Sequence, residues 1–233
     1  AQRILPVEVK ESEDSRLLYL QPLPKSKKMI GGAAISVKQI NDETMHMLEL
    51  AYENVNQSFD QLLQFSDKTD EQIYKREDTV NYLDKVISEY ISTALATPNL
   101  NVNISQALSS YYLMLVDIER ISDYAVNMNH QATKRLQDHM TISEIEIVEH
   151  MKKLCVDMRN DLDDVDEAER KDDVIDTLVS SWREAQIQAL KQQKCSSEVS
   201  MMLSRIFTDF ERINDHALNV SQELDKITVE IPD

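Results

Sequence analysis

The residues with chemistry to offer are carboxylates, and they come in rows. Glu119 and Asp123 stand four apart, as do Glu211 and Asp215. On a helix that spacing puts both side chains on one face, a turn apart. Each pair belongs to a longer pattern. Asp117 to Asn127 reads D-I-E-R-I-S-D-Y-A-V-N, and Asp209 to Asn219 reads D-F-E-R-I-N-D-H-A-L-N, identical at seven of eleven positions and separated by 92 residues. A match this dense marks a duplicated unit. Two further rows lie upstream of these. Glu77 and Asn81 give a carboxylate and an amide four apart, and Asp172 and Asp176 give two carboxylates. If the helices that carry them pack side by side, Glu77, Asn81, Glu119 and Asp123 face one another, and so do Asp172, Asp176, Glu211 and Asp215. Several oxygen donors in one place suit a hard or borderline cation. The second set has one carboxylate more and is expected to hold a cation first.

A plainer reading runs beside this one. Asp117 and Arg120 are three apart, as are Asp209 and Arg212, so they can pair along their own helices. Charged residues make up 29% of the chain, so such spacings also arise freely on solvated faces. Neither set carries the duplicated Glu-x-x-His of di-iron bundles. The one Glu-x-x-His, Glu43 to His46, reads as chance. His130, His139 and His150 have no spaced ligand partners, and the counterpart of His216 is Tyr124, so none is expected to be a required ligand. The methionines read as core fillers. No glycine-rich phosphate loop, nucleophile elbow or Cys-His signature occurs, so the chain is not read as an enzyme.

The elements that must position these rows are helices. The 233 residues include two glycines and five prolines, and between Ala33 and Ile231 there is no glycine and one proline, Pro98. Few turns can be built from that composition. Apolar residues recur at spacings of three and four: Ile40, Met47, Val55 and Phe59 in a first helix ending near Phe65, then Ile73, Val80, Leu83 and Ile87 to about Ala96. A third helix carries Ala107, Tyr111, Met114, Ile118, Ile121 and Ala125. Thr141 and Glu144 form a capping box that opens a fourth, running to about Asp166. A fifth spans about Ala168 to Lys194, and a sixth starts near Ser197 with Leu203, Ile206, Phe210, Ile213 and Ala217 as its stripe. The predicted class is all-α: two tandem, pseudo-symmetric, antiparallel three-helix bundles. Residues 33–138 form the first and 142–226 the second, with an arm or linker at 1–32 and a tail at 227–233.

Hydrophobic residues, 42% of the chain, are enough for a packed core. The net charge of −17 excludes a nucleic-acid binder, because a phosphate-binding basic stripe is missing. Cys155 and Cys195 are too few for a disulfide framework and suggest free thiols in a reducing compartment. No apolar run is long enough to span a bilayer. The chain opens on Ala rather than Met, which suggests a piece of a longer protein.

Two three-helix units, each ending in a helix that reads D-x-E-R-I-x-D-x-A-x-N, resemble the PhoU family of bacterial phosphate-regulation proteins across about residues 33–226. The Glu77/Asn81 and Asp172/Asp176 rows match that family's other motif. The family's usual glycine after the Ile is replaced by Ser122 and Asn214, a change expected to affect close packing more than ligands. The resemblance implies a non-enzymatic regulator of phosphate uptake, with iron or zinc held on the carboxylate rows in some members. Its implied partners are a transporter membrane domain or phosphate-signalling proteins, with a homodimer as a further option. Leu17 to Pro24, followed by small residues and a helix with Glu43, Met45 and Met47, resembles the join after the membrane domain in sodium/phosphate cotransporters with a cytosolic PhoU-like tail. That similarity implies a cytoplasmic domain tethered to the inner face of the membrane. The alternatives are a free-standing PhoU-like adaptor and a metal-binding carboxylate bundle.

Overall fold

The structure is a computed structural model that describes residues 16–20, 32–98 and 100–227. Most of the expected arm and nearly all of the tail, including Pro22, Pro24 and the lysines after them, lie outside the described residues. Among the described residues there are six α-helices and one short 3-10 turn, and no strand. The helices are α1 (Gly32–Leu63), α2 (Asp67–Leu95), α3 (Val102–Ala132), α4 (Ile142–Asn160), α5 (Val165–Lys191) and α6 (Ser197–Asp225). None of them is long and apolar enough to cross a membrane.

Polar side chains mark the helix starts. Ser66, Asn101, Thr141, Asp164 and Ser196 each occupy an N-cap and accept a backbone N–H of the following turn. Thr141 and Glu144 make the expected capping box. Arg135 and Gln193 take the left-handed turns after α3 and α5, at φ 52° and 57°, where glycine would be unstrained. One boundary differs from expectation. α4 stops at Asn160 rather than near Asp166, because Asp164 caps α5 by accepting Glu167 N–H at 3.1 Å. The acidic stretch between them competes for backbone N–H groups as a cap and leaves the helix early.

The two units are not separate bodies. α1, α2 and α3 pack together, as do α4, α5 and α6, and α3 also lies against α6 and α1 against α4. The stripes therefore close into one core shared by both units. Phe59 of α1 meets Phe210 of α6 edge-on at 6.4 Å, and Trp182 of α5 packs against Phe207 and Phe210. The duplication is visible in equivalent contacts. Asn54 donates to Ser122 at 3.0 Å in the first unit, and Asn214 donates to Cys155 Sγ at 3.8 Å in the second. Burial pushes the Cys155 thiol up to about 12, so it is an inert core group.

Candidate functional site

Antiparallel packing of α2 on α3, and of α5 on α6, brings the expected rows together. In the first unit Glu77 is nearly buried. It accepts the Ser122 hydroxyl and an N–H of Asn81, the latter at 3.0 Å. Burial pushes its carboxyl above the ordinary range, the Ser122 and Asn81 hydrogen bonds oppose that, and Asp123 and Glu119 add to it. Glu119 is raised as well, by burial and then by Asp123, with Arg120 opposing. All four expected residues thus meet on one shoulder of the first unit.

In the second unit Asp172, Asp176 and Asp215 draw close. Burial raises the Asp172 carboxyl to about 6, and Asp176 and Asp215 add to the shift. Its Oδ1 is buried without a hydrogen-bond partner. Glu211 is turned to another use, an ion pair with Arg183 of α5. Arg183 also donates to Thr208 Oγ1 at 3.2 Å and to the Ser204 carbonyl at 3.4 Å. Arg120 pairs with Asp123 and Arg212 with Asp215 on their own helices. Among the described residues no three His, Cys, Asp or Glu side chains converge in an arrangement that holds a metal ion. The Asp172 Oδ1 is left without a hydrogen-bond partner, whereas the Glu77 carboxylate of the first unit accepts both Ser122 and Asn81.

Besides the Arg183–Glu211 pair, three arrangements were not legible in the sequence. Ser122 is one of the two residues standing where the pattern usually has glycine, and it grips Glu77 directly instead of merely filling space. Asp117 ties the units together: it pairs with His216 Nδ1 at 2.7 Å and accepts an N–H of Asn219 at 3.0 Å, while Tyr124 stacks on the His216 ring at 5.8 Å. The third is Glu43, fully buried, whose carboxylate accepts the backbone N–H groups of Leu18, Tyr19 and Leu20 at 2.7–3.2 Å. His46 lies 3.0 Å away on the same carboxylate, so the Glu-x-x-His is a structural pair after all. The equivalent position in the second unit is Glu144, also buried, which accepts Thr141 N–H and a Gln186 side-chain N–H. Both acids stand at the same register of their unit's first helix, eleven residues before Asn54 and before Cys155.

A family model described as the PhoU domain matches residues 44–132 and again 142–224. A curated relative, the phosphate-specific transport system accessory protein PhoU homolog 1 of Thermotoga maritima, is 24% identical over 79% of this chain and 84% of its own length. Among solved structures, PhoU from Pseudomonas aeruginosa superposes with a TM-score of 0.74 at 19% identity, covering 82% of this chain and 96% of that one. The phosphate transport system regulatory protein PhoU from Streptococcus pneumoniae gives 0.74 at 18% identity, covering 86% and 99%.

Proposed function

The chain belongs to the PhoU domain family, and on that premise we propose that it is a non-enzymatic regulator of phosphate transport working at the cytoplasmic face of the membrane. The observation that carries this is the double match: both units, with both copies of the D-x-E-R-I pattern, fall within PhoU domains. The relative in Thermotoga maritima is named as an accessory of a phosphate transport system, and its similarity extends over most of both chains. The all-helical chain has a net charge of −17, and an acidic helical surface fits an adaptor. Expressing the chain in a bacterium that lacks its own PhoU, with a phosphate-responsive reporter, tests this reading. Restored repression in phosphate-rich medium supports a free-standing adaptor, and an unchanged reporter counts against it.

A second reading has its own observation. The segment Arg16–Leu20 is seated on the bundle, with Leu18, Tyr19 and Leu20 held by Glu43 and the Arg16 guanidinium 3.6 Å over the Tyr82 ring. A clamp of that kind would fix whatever precedes it, as the tail of a sodium-dependent phosphate cotransporter requires. Several apolar helices encoded upstream of Ala1 would establish that version, and a start codon there would remove it.

For metal, we propose the α5/α6 row as the first place a ferrous or zinc ion is held, by Asp172, Asp176 and Asp215, with Glu211 joining after release from Arg183. The cation would offset the mutual repulsion of these carboxylates. Glu77, Asn81, Glu119 and Asp123 form the weaker counterpart. Metal uptake that survives Asp176→Asn with Glu211→Gln, or a first-unit row that fills earlier, would contradict the assignment.

A further inference from the structure

The repeat supplies its own control for one surface. On α3, Tyr112, Leu113 and Val116 are large apolar side chains with 45%, 49% and 49% of their surface exposed. Their counterparts on α6, at the 92-residue offset, are Ser204, Arg205 and Thr208. Those counterparts are also exposed, but they are polar, and Arg183 reaches along that face to the Ser204 carbonyl, Thr208 and Glu211. The residue of α2 equivalent to Arg183 is Ser88, at the same 95-residue offset that relates Glu77 to Asp172. The first unit therefore keeps the carboxylate, Glu119, but replaces the arginine with serine and the polar residues under it with apolar ones. The position equivalent to the buried Val179 is Asp84, which lies near enough to Glu119 to raise its carboxyl and is itself raised by burial. Two half-buried acids, Asp84 and the Glu119 that Arg120 of its own helix approaches at 3.5 Å, thus border an exposed apolar patch, where the sister unit has a cross-helix arginine over polar residues.

We propose that this face of α2 and α3 is a docking surface for a partner protein's amphipathic helix. The helix would lay apolar residues on Tyr112, Leu113 and Val116 and set an arginine against Glu119 and Asp84, taking the place that Arg183 fills in the second unit. The charge favours this occupant over others. An anionic lipid surface meets the acids unfavourably, and a second copy brings a net charge of −17. Burying a few apolar side chains around one desolvated arginine pair is how small interfaces concentrate their affinity. The surface abuts the carboxylate row and draws on one of its members, Glu119, leaving Glu77, Asn81 and Asp123 out of the contact. It rests on the regulatory reading only for the existence of a partner, and it is measured without any phosphate readout, so the two can fail separately.

The test uses the full chain and a synthetic helical peptide carrying a leucine stripe and one central arginine, followed by fluorescence anisotropy. Leu113→Ser with Val116→Ser is expected to weaken binding by at least about tenfold, as is replacing the peptide arginine by glutamate. Ser88→Arg, which supplies the missing cross-helix arginine, should block the peptide to a similar extent. The control pair Ile187→Ser with Leu190→Ser, at exposed positions on α5, should leave affinity unchanged. Circular dichroism and melting of each variant show that the bundle is intact. Binding that is indifferent to Ser88→Arg and to the α3 pair, or that falls equally with the α5 pair, overturns the proposal. So does sedimentation showing a dimer of the chain alone that the α3 pair dissolves, or binding to anionic phosphatidylglycerol vesicles that the α3 pair abolishes.

Discussion

Glu43→Gln should release the arm while leaving the bundle folded. In the native chain one carboxylate accepts three successive backbone N–H groups, from Leu18, Tyr19 and Leu20. Hydrogen bonds to a charged acceptor contribute roughly 1.5–3 kcal/mol each, though three on one group do not add fully. Against them stands the ordering of the arm, about 1–2 kcal/mol per residue over the five described residues 16–20. Burial of parts of Leu17 and Leu20 against the core helps offset that cost. Docking is thus a small difference of larger quantities. Glutamine removes the charge and turns an N–H₂ toward donors, a loss of about 2–4 kcal/mol, enough to undock the segment. Native-state hydrogen exchange reads this directly. The amides of Leu18, Tyr19 and Leu20 should exchange roughly 30- to 1,000-fold faster in the variant, while those of α3 and α6 keep their protection. The pH dependence follows from the same contacts. Burial alone would raise the Glu43 carboxyl, but His46 and the three backbone N–H groups outweigh it and hold it below the ordinary glutamate range. Ionisation therefore favours docking. The contribution is complete above the ordinary glutamate pKa and drains away as pH falls through the depressed value. Unchanged protection of those three amides in Glu43→Gln would refute the reasoning.

Other outcomes follow from the shared core and the strained or repelling groups. Phe210→Ala, at the junction with Phe59 and Trp182, should cost about 3–5 kcal/mol and lower a single cooperative transition seen alike by tryptophan fluorescence and circular dichroism. Gln193→Gly relieves a left-handed residue and should raise stability by about 1 kcal/mol in denaturant titration. Glu77→Gln should melt higher than the native chain at neutral pH. The native carboxyl is raised, so its penalty grows as pH rises through the folded value and fades below the ordinary glutamate pKa, and the gap should close in acid. Arg183→Gln frees Glu211 and should tighten zinc or ferrous binding at the α5/α6 row in calorimetric titration.

The fold was legible because its signals are local and repeated. Heptad stripes, a capping box at Thr141 and a nearly glycine-free chain all point to long helices, and the doubled D-x-E-R-I pattern shows that they come in threes. The helix contacts within each unit then followed from antiparallel packing. What stayed hidden depends on contacts between distant residues. Asp117 reaches across to His216 and Asn219 at separations near 100 residues, and no periodicity reports that. Glu43 looked like one more helix acid because its partners are backbone N–H groups, which carry no sequence signature. Arg183 was invisible for a related reason: nothing in its own neighbourhood says that it will span to Glu211. The early end of α4 was missed because an aspartate reads equally as a helix residue and as a cap until its side chain is seen on Glu167 N–H.

The most direct measurement is phosphate uptake in the native cell after in-frame removal of the coding region for residues 33–226, leaving everything around it intact. Initial rates of radiolabelled phosphate entry are followed against external phosphate in cells pre-grown with scarce and with plentiful phosphate. A regulator of transport predicts that the difference between the two growth histories collapses in the deleted strain and returns when the region is restored. Uptake curves that coincide with the parent strain under both histories would contradict the account.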